Sequence, residues 1–291
     1  MAEERKMPSP EEFRAGLAKQ RAEFAQRPIT GERFYVPREG ADPVEVILYR
    51  PQQPVDKPLP VLFNSHGGAW IGGDAVLMDS FCSLLANEIP ALIVNMNYKK
   101  ADVHPFPYPI VEICDTVQYF AAHAKEYGID PTKFAVGGHS AGAQLSAGAA
   151  VKLKEDGFQL ACQMLVYPCV DMTGKDGLFA MLGPMYFPEN NANHRWASPL
   201  YATDDELRGV APAIFIECGP DELKPQGIAY AKRLIDLAVP VKVKEYPEAV
   251  HGFLEVNRPE YEGDPRRSPE QDAMTKDCEQ YLIRELRACF A

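Results

Sequence analysis

The stretch Lys133-Phe134-Ala135-Val136-Gly137-Gly138-His139-Ser140-Ala141-Gly142 decides how this chain is read. A short apolar run leads into a G-x-S-x-G pattern at Gly138–Gly142, and small residues suited to a helix follow. A serine on so tight a strand-to-helix turn takes a strained backbone conformation. Gly138 and Gly142 remove the side chains that would collide there. The Ser140 hydroxyl is then exposed, and the helix behind it points its N-terminus at the same place.

Working outward, the chain alternates strands with helices. Apolar runs predict strands over Val44–Arg50, Val61–Asn64, Ala91–Asn97, Phe134–Val136, Cys162–Tyr167, Ala213–Glu217 and Val241–Glu245. Helical spacing falls on Met78–Glu88, Ile110–Tyr127, Ala141–Lys154, Gly227–Ala238 and Asp272–Cys289. The alternation predicts an α/β fold, a mostly parallel sheet with helices on both faces. Pro51–Pro60 holds four prolines and reads as a loop. Residues 1–30 read as a polar helix with Phe13, Leu17 and Phe24 as anchors, ended by Pro28. Met172–Ala197 breaks the rhythm and reads as an insertion over the C-terminal edge of the sheet. Within it, Met181, Met185, Tyr186 and Phe187, together with Trp196, are candidates for lining a pocket.

Bulk composition narrows the classes. The chain has 291 residues, 46% hydrophobic and 24% charged, as expected of a globular protein with a substantial core. A net charge of −11 with no basic stripe argues against nucleic acid as a partner. Seven cysteines are scattered without a C-x-x-C, which fits small core residues in a reducing, cytoplasmic compartment. The charged start Met1-Ala2-Glu3-Glu4-Arg5-Lys6 leads into no apolar stretch. Neither a signal peptide nor a membrane span is expected, so no membrane partner is expected either.

A serine hydroxyl needs a base to take its proton, a carboxylate to orient that base, and donors for the developing oxyanion. His251 lies in a loop after the Val241–Glu245 strand and before the last helix, the place for the base. Asp221 follows the Ala213–Glu217 strand, at a strand's C-terminal end, where open α/β sheets place their sites. Glu222 competes but points elsewhere on the same turn, and Glu217 is still within the strand. His66-Gly67-Gly68-Ala69-Trp70 follows the Val61–Asn64 strand. Its paired glycines let the backbone N–H groups of Gly67, Gly68 and Ala69 approach a substrate oxygen, with Ala141 supplying another. His66 reads as a brace for that glycine loop, and His139 as a side chain packed behind the serine.

With these residues placed, the chain resembles the hormone-sensitive-lipase-like family of α/β-hydrolases, mostly small carboxylesterases. The likeness runs from about residue 44 to residue 255. It rests on His66–Trp70, Tyr98 with His104-Pro105-Phe106-Pro107, Gly138–Gly142, Ser198-Pro199-Leu200, Asp221-Glu222-Leu223 with Gly227, and His251-Gly252-Phe253. It implies the α/β-hydrolase fold as a single domain over 1–291, with residues 1–30 and 172–197 as cap elements. It also implies Ser140, Asp221 and His251 as a triad, and Gly68, Ala69 and Ala141 as oxyanion donors. Three positions depart from the family pattern. Ala69 stands where a third glycine is usual, His139 where aspartate is usual, and the N-terminal cap is short, which opens the pocket.

The resemblance implies a serine carboxylesterase for short acyl esters, acetyl to butyryl, acting through an acyl-enzyme with no metal or organic cofactor. The pairing of His66-Gly67-Gly68-x-Trp70 with His139-Ser140-Ala141-Gly142 also resembles kynurenine formamidase-like hydrolases, which cleave an N-formyl group. The gibberellin receptor resembles the same family and binds without catalysis; it lacks the triad histidine that this chain keeps as His251. The expected partner is a small-molecule ester. The Val241–Glu245 strand, near a sheet edge, offers a route to a homodimer.

Overall fold

The computed structural model describes residues 10–291, and what the sequence reading placed on residues 1–9 and on the Phe13 side chain lies outside the described residues. The described residues open with helix α1 (Pro10–Ala25), then strands β1 (Glu32–Val36), β2 (Val44–Tyr49) and β3 (Leu59–Ser65). Next come α2 (Asp79–Glu88), β4 (Leu92–Met96), α3 (Tyr108–Ala122), α4 (Ala124–Tyr127), β5 (Ile129–His139), α5 (Ala141–Glu155) and β6 (Cys162–Val166). The remainder is α6 (Gly177–Tyr186), α7 (Asp204–Leu207), β7 (Ala213–Cys218), α8 (Lys224–Asp236), β8 (Val241–Tyr246), α9 (Phe253–Val256) and α10 (Pro269–Cys289).

The strands form one eight-stranded sheet in the order β1-β2-β4-β3-β5-β6-β7-β8. β1 and β2 pair antiparallel, as do β2 and β4; every pairing from β4 through β8 is parallel. The central strands are buried on both faces, which is why they read as unbroken apolar runs. Successive residues of β3 serve opposite sides. Val61 and Phe63 join the buried cluster that includes α3, α5 and α8, whereas Leu62 joins the one that includes α2 and α10.

Four local differences from the sequence reading have physical causes. β1 is a short strand at the sheet edge whose charged and half-buried residues mask its period. The helix expected over Ile110–Tyr127 breaks at His123 into α3 and α4, and Gly128 ends α4 in the left-handed conformation (φ 66°). The segment Met172–Ala197 contains a helix, α6, hidden by Gly177 and by Pro184 inside it. β5 extends back from Phe134 to Ile129, through Pro131, with a register irregularity against β3.

β8 is the edge strand on the far side of the sheet, and Lys242 and Lys244 on it are paired with Glu285 and Asp277 of α10. Lysines on such a strand discourage edge-to-edge pairing. All seven cysteines are free and, Cys289 apart, buried. Among the described residues no helix is long and apolar enough to cross a membrane.

Candidate active site

The site forms where β3, β5, β6, β7 and β8 end. β5 stops at His139, and Ser140 takes φ 54°, ψ −116° before α5 begins. The turn is held by Ser140 N–H donating to Val166 O (2.9 Å) and by Gln144 N–H donating to Ser140 O (3.1 Å). The glycines on either side are needed for space. A Cβ at Gly142 would lie 2.1 Å from Ser65 O, and one at Gly138 2.6 Å from the same atom. Ala141 opens α5, so its N–H has no acceptor within the helix and is free to serve a ligand.

The sequence-predicted acid and base meet the serine here. Asp221 Oδ1 accepts from Leu223 N–H (2.9 Å), which fixes the carboxylate on its turn after β7. Asp221 Oδ2 lies 2.6 Å from His251 Nδ1, and His251 Nε2 lies 2.9 Å from Ser140 Oγ. With Nδ1–H donating to Asp221, Nε2 is left as an acceptor for the serine hydroxyl. Asp221 is nearly buried while His251 is open to the cleft, so the carboxylate is shielded and the imidazole reachable. Neither competing glutamate takes part in this chain of contacts. Glu222 is exposed. Glu217 is fully buried against α8, where a Cβ at Gly227 would lie 2.2 Å from its Oε1.

The glycine loop faces Ser140 from the end of β3. A Cβ on Gly67 would sit 3.5 Å from Ser140 Cβ. Gly72 N–H donates to Gly68 O (2.8 Å), tightening the loop into a turn. Within it Ala69 and Trp70 both take left-handed backbone angles (φ 52° and 65°), so the missing third glycine is replaced by a strained alanine. The Arg21 guanidinium reaches from α1 to Ile71 O (3.0 Å) and pairs with Asp102. His66 Nδ1 lies 2.6 Å from Gly67 O, consistent with the expected brace.

His139 is wholly buried behind the serine, as expected, with Nδ1 2.7 Å from Glu255 Oε1 and its ring edge-on to Phe81. The Tyr167 hydroxyl donates to the other Glu255 oxygen. Burial pushes the Glu255 carboxyl up, but the neighbouring His139 and these hydrogen bonds win and hold it low. The Tyr167 ring also lies 4.8 Å from that of His251. Sequence reasoning missed Tyr167 and Glu255, since an isolated aromatic after a strand and a glutamate after His-Gly-Phe-Leu carry no motif.

Two cavities open onto Ser140, and both are lined by Ala69 and His251. The larger, about 630 Å³, is walled by Trp70, Cys169, Phe179 and Leu223, with Lys175 and Asp176 at its margin. The smaller, about 450 Å³, is walled by Gln20 and Phe24 of α1 and by Glu255, Tyr261 and Arg266. None of the five candidates for the pocket, Met181, Met185, Tyr186, Phe187 and Trp196, lines either cavity. Met181 is exposed, Tyr186 stacks behind Trp70, Phe187 faces a different hollow, and Trp196 Nε1 donates to Glu155. The wall falls instead to Phe179, because α6 turns that side chain inward. Ser198, from the Ser-Pro-Leu signature, closes the base of the 172–197 segment: Met172 N–H donates to Ser198 Oγ (2.7 Å), which donates to Ala192 O (2.7 Å). Among the described residues no cluster of three or more His, Cys, Asp or Glu side chains is arranged to hold a metal.

Sheet order, elbow and loop placement together define an α/β-hydrolase. The chain belongs to the α/β hydrolase fold family, whose profile matches residues 62–255, in its hormone-sensitive-lipase-like branch. It is 30% identical over 229 residues to the carboxylic ester hydrolase LipN of Mycobacterium tuberculosis, covering 71% of this chain and 60% of the relative. It is 28% identical over 229 residues to an esterase of Gibberella moniliformis, covering 72% of each. The crystal structure of the Pyrobaculum calidifontis esterase superposes with a TM-score of 0.78 at 26% identity, covering 96% of this chain and 92% of that one.

Proposed function

We propose that this protein is a carboxylic ester hydrolase working through Ser140, His251 and Asp221 with an acyl-enzyme intermediate. The observation that carries the reading is the unbroken relay from Asp221 Oδ2 to His251 Nδ1 (2.6 Å) and from His251 Nε2 to Ser140 Oγ (2.9 Å). The similarity to enzymes named as esterases supports it.

Ser140 Oγ attacks the ester carbonyl while His251 Nε2 takes its proton. Asp221 holds the imidazole in the required tautomer and stabilises the imidazolium. The carbonyl oxygen, now negative, is received by the N–H groups of Gly68, Ala69 and Ala141, in the pocket bounded by Gly67; one such donor is worth about 2.7–4 kcal/mol in the transition state. His251 then protonates the leaving alcohol, activates a water against the acyl-enzyme, and returns a proton to Ser140 as the acid departs.

The preferred acyl groups are short, acetyl to butyryl. Support comes from the larger cavity, whose lining mixes apolar Trp70, Cys169, Phe179 and Leu223 with the exposed, charged Lys175 and Asp176. We place α1 and residues 172–197 as cap elements of a single hydrolase domain, since both border the cavities at Ser140.

Initial rates on p-nitrophenyl acetate, butyrate, octanoate and laurate test this, with Ser140→Ala as control. The expected result is a maximum at acetate or butyrate that vanishes in the variant. Wild-type turnover by Ser140→Ala overturns the mechanism. Ser140-dependent turnover of an N-formyl aryl amide far above any ester moves the assignment to formamide hydrolysis.

A further inference from the structure

Lys100 is buried beside the glycine loop, and the mechanism above does not use it. Its Nζ lies 2.7 Å from Tyr98 O, 2.9 Å from His66 Nε2 and 3.2 Å from Asn97 Oδ1. In its ammonium form Lys100 has three N–H bonds and no lone pair, so Tyr98 O, Asn97 Oδ1 and an unprotonated His66 Nε2 would satisfy it fully. Burial pushes Lys100 down to about 7, against the pull of Asp74. The His66 ring stacks on Tyr98 at 4.4 Å, and the Tyr98 hydroxyl donates to His66 O (3.0 Å), so the imidazole has little room to turn. Burial, then the neighbouring Lys100, hold His66 well below its ordinary range, so the ring is neutral and one nitrogen carries the proton.

We propose that Lys100 is a positioning residue for the oxyanion loop: by donating to His66 Nε2 it keeps His66 in the Nδ1–H tautomer, and that proton pins the Gly67 carbonyl. The inference rests on the reading of Ser140 as nucleophile and Gly68 N–H as oxyanion donor. His66 Nδ1 lies 2.6 Å from Gly67 O. With the proton on Nε2 instead, two lone pairs would face each other at that distance. In a planar trans peptide the C=O and the following N–H point in opposite directions. Pinning Gly67 O toward His66 therefore turns Gly68 N–H away from His66. The next peptide is pinned in parallel fashion by Gly72 N–H on Gly68 O (2.8 Å), which sets Ala69 N–H. Gly73 leaves room for the arrangement, because a Cβ there would lie 2.2 Å from Gly67 O and 2.7 Å from His66 Nδ1. Lys100 thus acts on the reaction through two intermediaries and touches no reacting atom.

The decisive measurement is the tautomer of His66 in the wild-type protein, read from ¹⁵N imidazole shifts and assigned by the signal lost in His66→Gln. A protonated Nδ1 with a bare Nε2 is expected; a protonated Nε2 overturns the proposal whatever the variants do. Lys100→Met, with active sites counted by a fluorophosphonate, is expected to lower kcat by about 10-fold to 100-fold with KM within about twofold. Its His66 signal should also move away from the Nδ1–H pattern. Lys100→Gln, which keeps one N–H for His66, should recover part of the loss. A Lys100→Met protein that melts lower yet keeps kcat and tautomer shows a merely structural lysine and defeats the inference. Wild-type turnover by Ser140→Ala defeats the hydrolase reading instead, and the tautomer result separates the two failures.

Discussion

Trp70 Nε1 donates to Gln144 Oε1 at 2.8 Å, joining the end of the glycine loop to the first turns of α5. The amide nitrogen of the same Gln144 donates to Trp196 O and Ala197 O, each at 3.0 Å, which ties down the end of the 172–197 segment. One buried side chain therefore holds together three stretches of chain that surround Ser140.

Gln144→Leu keeps most of the volume and leaves three buried polar groups without partners. The expected cost is about 3 kcal/mol of stability, since each orphaned group costs roughly 1–3 kcal/mol before relaxation. Urea melts read this directly. A change below about 0.5 kcal/mol would show that water replaces the lost bonds.

Asp221→Asn preserves the shape of the acid while removing its charge and its preference for the Nδ1–H imidazole. A loss of kcat of about 10⁴-fold is expected, with KM little changed, because the effect falls on the transition state. Steady-state kinetics on p-nitrophenyl acetate checks it. A loss under tenfold would mean that another carboxylate orients His251.

Ala69 sits at φ 52°, where an L-residue pays roughly 1–2 kcal/mol. Glycine at this position relieves the strain and returns part of the gain as entropy of the unfolded chain. Ala69→Gly should therefore stabilise the fold by about 0.5–1 kcal/mol, a rise of a few degrees in Tm. A lower Tm would show that the Ala69 methyl packs more favourably than its backbone is strained.

Glu217 is fully buried, and neither carboxylate oxygen has a hydrogen-bond partner among the described residues. Burial, with Asp221 nearby, pushes its carboxyl up to about 8 from an ordinary 4.5. The folded protein then holds a proton that the unfolded chain has released, so this group's contribution is fully present below the ordinary value and fades as pH rises through about 8. Glu217→Gln removes that dependence. Its Tm should match the wild type near pH 4 and exceed it by several degrees at pH 9; a gap independent of pH counts against a protonated Glu217.

The parts of the fold legible in sequence are those whose physics is local. β3, β4, β6 and β7 are buried on both faces and spell it in consecutive apolar residues. The places of Ser140, Asp221 and His251 follow from strand ends, and the structure brings the three within hydrogen-bonding reach. What was hidden depends on distant partners. α6 carries Gly183 and Pro184, which argue against a helix on propensity alone. Phe179 faces the cavity and Met181 faces water, two residues apart, and no periodic signal marks which. Lys100 and Glu217 look like surface residues by type, and only the assembled neighbourhood shows both to be buried.

The two cavities share Ala69, Ser140 and His251, and the glycine loop borders both, with Trp70 in one and Gly67, Gly68 and Gly73 in the other. Beyond that loop, one takes most of its walls from residues 169–179 and 220–226, the other most of its walls from α1 and residues 252–266. An ester on Ser140 whose two halves took one cavity each would meet largely different parts of the chain on its two sides. Selectivity for one half can drift, or be engineered, while the other half and the reacting groups stay as they are.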